Sequence, residues 1–248
     1  MGAVNVLVEG KDDIVFLCRL IEVMRQEQGL APIDWTIPNP DRKVILNSKK
    51  RFGDCFVRIG EDIVAITETG GFAKKPSPAW RLIKTAQRED VRVTQYLILF
   101  DADAPRNFLG NDQDFGGVSV RRDYLQSLYS GCGIGFKTFL FPDDAHDGAM
   151  EDLAISIIRP DVRFVIDSKW PEFRANVRIS CEAAGKRYLN FSAKCALSQF
   201  ATVFDLDVAK DLYWVAALWN DEIWNWQSSA LFPIKNFLRT NLPVLFRV

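Results

Sequence analysis

Carboxylates carry the chemistry that this sequence can offer. Glu9 follows the apolar run Ala3-Val4-Asn5-Val6-Leu7-Val8, and Asp101 and Asp103 follow Tyr96-Leu97-Ile98-Leu99-Phe100. Glu151 and Asp152 lie just past a third run, Phe136-Lys137-Thr138-Phe139-Leu140-Phe141, and Asp13 stands one helical turn beyond Glu9. Strands that end at a common edge would bring these acids together. At about 5 Å and an effective dielectric of about 20, each ionised pair repels by roughly 3 kcal/mol, so such a cluster needs raised pKa values or a cation. A hard divalent ion, Mg²⁺ or Mn²⁺, suits an all-oxygen ligand set. Other chemistries are poorly supplied. His146 is the sole histidine, which excludes a multi-histidine metal site and leaves any Ser or Cys triad dependent on one residue. The five cysteines, Cys18, Cys55, Cys132, Cys181 and Cys195, are scattered without a CxxC pair, a pattern of reduced, buried thiols rather than a disulfide framework or zinc site.

The elements that must position these acids alternate along the chain. The first apolar run predicts a buried strand, and Ile14, Leu17, Cys18, Ile21 and Met24 then lie on one helix face, with Asp12 or Asp13 as N-cap and Gly29 as stop. Val57–Ile59, a Gly60-Glu61-Asp62 turn and Ile63–Thr67 predict a hairpin leading into a second core strand that ends at Gly70-Gly71. Ser77-Pro78 opens a helix to about Arg88. Tyr96–Phe100 is the continuous apolar run of a parallel strand covered on both faces. Ser119 caps a helix to about Ser130, Phe136–Phe141 forms a fourth strand, and a helix carries Glu151 and Asp152. This order predicts an α/β fold with a mainly parallel sheet of about four strands, whose ligands sit beyond the strands' carboxyl ends. From about Asp167 the pattern turns helical, with Trp170, Trp214, Trp219, Trp224 and Trp226 concentrated there. The expected division is residues 1–166, with a locally basic insertion over about 31–60, and a helical region over 167–248 packed on the sheet.

With 248 residues, 48% of them hydrophobic, the chain has material for a substantial core, and 31 Lys and Arg against 32 Asp and Glu give a net charge of −1. Nucleic-acid binding must therefore rest on local surfaces; the basic Arg42–Arg58 stretch reads first as an ordinary charged insertion, with a backbone-gripping surface a close alternative. No membrane span or secretory signal is evident, so a cytoplasmic location is expected.

Taken in order, Val8-Glu9-Gly10-Lys11-Asp12-Asp13, Gly70-Gly71 and Leu99-Phe100-Asp101-Ala102-Asp103 resemble the Toprim domain of topoisomerases, primases and OLD-type nucleases. The stretches Phe141–Leu153 and Trp224–Leu238 look like the DUF3226 family of Toprim-like proteins, a resemblance that reaches nearly the whole chain. It implies a Toprim-like Rossmannoid fold. It also implies that Glu9 is the Toprim glutamate, a metal ligand or general acid/base, and that Asp101 and Asp103 are the paired metal-binding aspartates. Asp13 matches the second acid that OLD-type nucleases place one turn after the glutamate. Glu151, with Asp152 beside it, would serve a second metal. Pro105 departs from the pattern, standing where the fuller Toprim motif has a third acid. The implied activity is Mg²⁺- or Mn²⁺-dependent phosphodiester hydrolysis of DNA or RNA, in phage defence beside an ATPase partner, since the chain has no GxxxxGK[ST] of its own. A homodimer is compatible with this reading. Lys186, Arg187 and Lys194, and less favourably Lys11, are the cations expected near the developing charge. The alternative is a non-catalytic Toprim-like module that binds metal or a partner protein.

Several signals have plainer readings. Asp-x-Asp after a strand is a common turn device, and Asp13 suits a helix cap. Gly131-Cys132-Gly133-Ile134-Gly135 follows a helix and precedes a strand, the reverse of a nucleotide-binding loop. His146 reads as a solvated loop residue, and the C-terminal tryptophans as core.

Overall fold

The computed structural model describes residues 3–35, 55–69, 93–103, 116–129, 135–184, 197, 218 and 221–247. Along the chain these form β1 (Ala3–Val8), α1 (Lys11–Gln26), β2 (Cys55–Ile59), β3 (Asp62–Glu68), β4 (Val93–Asp101), α2 (Val118–Tyr129) and β5 (Gly135–Phe141). Then come α3 (Met150–Ser156), α4 (Pro160–Phe164), α5 (Trp170–Ala183) and α6 (Phe232–Asn241). A π-helical turn, Val165–Lys169, joins α4 to α5, and short 3-10 turns flank α6.

The sheet has the order β2-β3-β1-β4-β5. Its last four strands run parallel, while β2 pairs antiparallel with β3 from Cys55 opposite Ile66 to Ile59 opposite Asp62. The sheet therefore holds five strands rather than about four, because the outer arm of the expected hairpin is a full edge strand. Gly60, at φ +60°, makes the tight connection between the arms.

Strand parity divides the core. Leu97 and Leu99 of β4 face one side with Val6, Val8, Ile14, Phe16, Leu17, Phe139 and Phe141, where α1, α3 and α6 pack. Tyr96, Ile98 and Phe100 face the other with Leu7, Leu125 and Leu140, beneath α2. Both faces are covered, which is why β4 reads as an unbroken apolar run. By the same parity Asp101 lies on the α1 side. Phe16 anchors α1 there, edge-on to Phe141 at 6.4 Å between ring centroids and tilted against Trp226 at 6.2 Å.

The C-terminal segment belongs to this core. Trp224 and Trp226 are buried, as are Ile234, Leu238, Leu242 and Leu245. The segment is pinned to the turn after α3 by Asn225 N–H to the Ile157 carbonyl (2.7 Å) and Arg159 N–H to the Ile223 carbonyl (2.8 Å). Lys235, 4% exposed, donates to Glu27 Oε1 at 2.6 Å and to the Trp226 carbonyl at 2.7 Å, tying α6 to the end of α1. Arg25 of α1 donates to the Leu245 carbonyl.

Two helix starts differ from the sequence reading. The N-cap of α1 is Gly10, and Asp13 is its N3 residue, reaching back to accept the Gly10 N–H at 2.6 Å. Helix α2 begins at Val118, ahead of Ser119, and its first N–H donates to Asp147 Oδ1 at 2.8 Å. A capping group thus comes from a distant loop, which local sequence cannot reveal. The end of α1 follows expectation. Gly29 at φ +70° allows its N–H to reach the Gln26 carbonyl and the Leu30 N–H to reach that of Arg25, both at 3.0 Å. The expected Ser77–Arg88 helix, Gly70-Gly71, the glycine-rich 131–134 stretch, Trp214, Trp219 and residues 36–54 lie outside the described residues. Among the described residues, no helix is long and apolar enough to cross a membrane.

Candidate metal centre

Parallel pairing sets Glu9 beside Asp101. In the β1–β4 ladder Val8, the last residue of β1, is opposite Leu99, two residues before β4 ends at Asp101, and the Asp101 N–H donates to Glu9 Oε1 at 3.1 Å. On the other side of β1, buried Thr69 donates both its N–H (2.8 Å) and its hydroxyl (2.9 Å) to the Val8 carbonyl. The Val8 carbonyl just before Glu9 is thus held from the β3 side, and the Glu9 carboxylate from the β4 side.

Two helices start at this edge. At the first, Asp13 sits in the opening turn of α1 with its carboxylate buried behind Gly10. At the second, Met150 N–H donates to Asp101 Oδ1 at 2.8 Å, and the next residue, Glu151, is buried. Glu9, Asp13, Asp101 and Glu151 thus form one electrostatic group. Burial pushes the Asp13 carboxyl well above the usual carboxylate range, and the charges of Glu9, Glu151 and Asp12 push it further, against the hydrogen bond from Gly10. Burial likewise drives Asp101 well upward, reinforced by Asp13, Glu9 and Glu151. Burial raises Glu9 too, partly offset by Arg121 and by the Asp101 N–H.

Asp103 is held differently. Its backbone is left-handed (φ +51°), its N–H donates to the Gly148 carbonyl at 2.6 Å, and its carbonyl accepts the Gly117 N–H at 3.1 Å. Its carboxylate pairs with Arg121 of α2. The other arm of that guanidinium reaches Glu9 Oε1 at 3.0 Å, so Arg121, 5% exposed, bridges acids from two strand ends. Its neighbour Arg122 donates to the Asp144 carbonyl (2.9 Å) and carboxylate (2.7 Å), tying α2 to the loop after β5.

Asp152 stands apart from the buried group. It is exposed and its carboxylate accepts the Ala149 N–H at 2.8 Å, closing the first turn of α3 as Asp13 closes that of α1. His146 is exposed on the same loop, with Nδ1 at 2.7 Å from Asp143 Oδ2. Lys186, Arg187 and Lys194 lie outside the described residues. Lys11 is exposed at the first position of α1.

Arg121 was not among the expected cations. A signal for it exists: Val118, Arg121 and Leu125 share one face of α2, and a charged residue on the apolar face of an amphipathic helix needs a buried partner.

The donor set has the chemistry of a hard divalent ion: carboxylate oxygens only, mutually repelling, at the edge where parallel sheets bind ligands. Among the described residues, which include all of these acids, no group of three or more Asp, Glu, His or Cys side chains is placed so that it could hold a metal ion. Glu9 and Asp103 are instead engaged by Arg121. No family model and no curated protein matches the chain. Among solved structures, a hypothetical protein from Pyrococcus horikoshii OT3 is similar at 13% identity and a TM-score of 0.45, covering 99% of this chain and 92% of that one.

Proposed function

We propose that the chain is a Mg²⁺- or Mn²⁺-dependent phosphodiesterase of Toprim type acting on nucleic acid. The carrying observation is the convergence of Glu9, Asp13, Asp101 and Glu151 from three separate stretches, where burial first, and the charges of neighbouring acids second, push the Asp13 and Asp101 carboxyls well above the usual range. A divalent cation would hold these carboxylates ionised and turn their mutual repulsion into affinity. Glu9, Asp13, Asp101 and Glu151 would hold the ion, with Asp103 joining once its carboxylate is free; Asp152 serves α3 as a cap. When bound, the ion supplies Lewis-acid polarisation of a phosphoryl oxygen and a more acidic water. The chain's own contribution is orientation. Met150 N–H and Asp101 N–H fix one oxygen each of Asp101 and Glu9, and Gly10 fixes Asp13. Lys186 and Lys194 retain their proposed role beside the developing charge, and an ATPase partner in phage defence remains part of the proposal.

The test is cleavage of plasmid, single-stranded DNA and tRNA by the purified protein in Mn²⁺, with EDTA and Glu9→Ala as controls. Metal-dependent cleavage that the variant loses supports the reading; full activity of a folded Glu9→Ala protein sinks the assignment. One observation favours a second reading, a metal- or partner-binding regulatory module. Arg121 pairs with both Glu9 and Asp103 and offsets one of their two charges, an arrangement that suits a site whose task is to respond to an ion. Mn²⁺ binding with no cleavage of any substrate would put that reading ahead.

A further inference from the structure

Arg121 bridges two of the acids, Glu9 and Asp103. Its side chain is more buried (6% exposed) than either partner, Glu9 (21%) or Asp103 (33%). It is also firmly mounted. The Arg121 N–H donates to the Gly117 carbonyl at 2.9 Å, and α2 is fixed at its start by Asp147 and one residue further on by the Arg122–Asp144 pair. Glu9 Oε1 accepts two hydrogen bonds, from Arg121 and from the Asp101 N–H, which fills both of its lone-pair directions. The two acids that the guanidinium bridges come from different strand ends and belong to the proposed ligand set.

We infer that Arg121 is a charge latch on this centre: it pairs with Glu9 and Asp103, and a divalent ion would have to take these carboxylates from it. The inference rests on the metal-binding reading above and adds how the same site is regulated. Two physical consequences follow. A guanidinium and a divalent ion drawing on the same carboxylates repel each other and compete for the same oxygens, so the latch lowers metal affinity. Conversely, without the ion the latch offsets the repulsion between Glu9 and its acidic neighbours, so its loss harms the metal-free protein more than the loaded one. Because binding free energies are reciprocal, whatever the latch subtracts from metal affinity the metal subtracts from the latch.

The experiment is calorimetric titration of the full chain with Mn²⁺ in the wild type, Arg121→Gln and Arg121→Lys, with thermal melts in EDTA and in Mn²⁺. Arg121→Gln should bind Mn²⁺ about tenfold more tightly, within the usual range of coupling between two sites. It should melt lower than the wild type in EDTA and recover more on adding Mn²⁺. Arg121→Lys keeps the charge but cannot bridge both carboxylates, so its affinity should rise by a smaller factor; it also serves if the glutamine variant does not fold. Equal or weaker Mn²⁺ affinity in a folded variant, beside a wild type that binds, overturns the latch and leaves the metal site standing. Absence of binding in the wild type and in both variants overturns the metal-binding reading, and the latch with it.

Discussion

Asp101→Asn isolates the electrostatic cost of this centre. Asparagine has nearly the volume of aspartate and keeps the oxygen that accepts the Met150 N–H at 2.8 Å, yet removes the charge that faces Asp13, Glu9 and Glu151. Two unit charges about 6 Å apart at an effective dielectric of about 20 repel by about 3 kcal/mol, and three such neighbours surround Asp101. The wild type escapes part of this by retaining a proton, so the metal-free variant should gain only about 1–3 kcal/mol at slightly alkaline pH. For a chain of this length that is a rise of about 3–10 °C in Tm. The pH dependence carries the diagnosis. The folded-state pKa of Asp101 is raised, chiefly by burial. The native state therefore favours the protonated form, and that advantage is complete below the ordinary carboxylate pKa of about 4 and is lost as pH rises through the raised value. The difference in Tm between variant and wild type should thus be near zero at about pH 4 and grow toward about pH 8. Calorimetric melts in EDTA across that range are the assay. A variant less stable than the wild type at the alkaline end, or a gain independent of pH, would refute the argument that Asp101 is held against like charge.

Other consequences are as direct. Gly148 lies at φ +147°, and a Cβ there would meet Asp152 Oδ2 at 2.9 Å and the Pro142 ring at 3.1 Å, so Gly148→Ala should cost about 1–3 kcal/mol by thermal melt. Because the Gly148 carbonyl anchors the Asp103 N–H, the proposed function predicts that this variant also weakens metal-dependent cleavage beyond its effect on folding. Lys235→Met removes a buried ammonium from Glu27 and the Trp226 carbonyl; as Glu27 is partly solvated, a loss of about 1–3 kcal/mol in denaturant unfolding is expected. Under the proposed function, His146→Ala should leave cleavage within about twofold of wild type, since its ring is 78% exposed and pairs with Asp143 rather than with the buried acids. A large loss there would assign the loop a role it does not have in this account.

What the sequence revealed follows from what is local. Tyr96–Phe100 reads as a doubly covered parallel strand because its apolar run is unbroken, and the acids at strand ends read as a site because parallel sheets collect strand ends on one edge. Gly29 reads as a helix stop because only its backbone freedom is at issue. The long-range features were hidden. Asp147 caps α2 across 29 residues of chain, and Arg121 reaches Glu9 across 112, distances set by the crossovers and not by any motif. Asp152 and Glu151 are adjacent in sequence yet part company, because successive helical residues point about 100° apart: one is buried beside Asp101 and the other turns outward to cap. The burial that raises the proton affinity of Asp13 also depends on packing around the first turn of α1, which spacing from Glu9 alone does not give.

The account stands or falls on whether the buried acids take a divalent ion. Crystals of the full chain grown or soaked with Mn²⁺ and measured at a wavelength where manganese scatters anomalously would answer this. The account predicts an anomalous peak in contact with oxygens of Asp101 and at least one of Glu9, Asp13 and Glu151, with Arg121 drawn back from Glu9. A crystal soaked in saturating Mn²⁺ with no peak among these four carboxylates, or with manganese only at exposed acids such as Asp161 and Asp167, would contradict it.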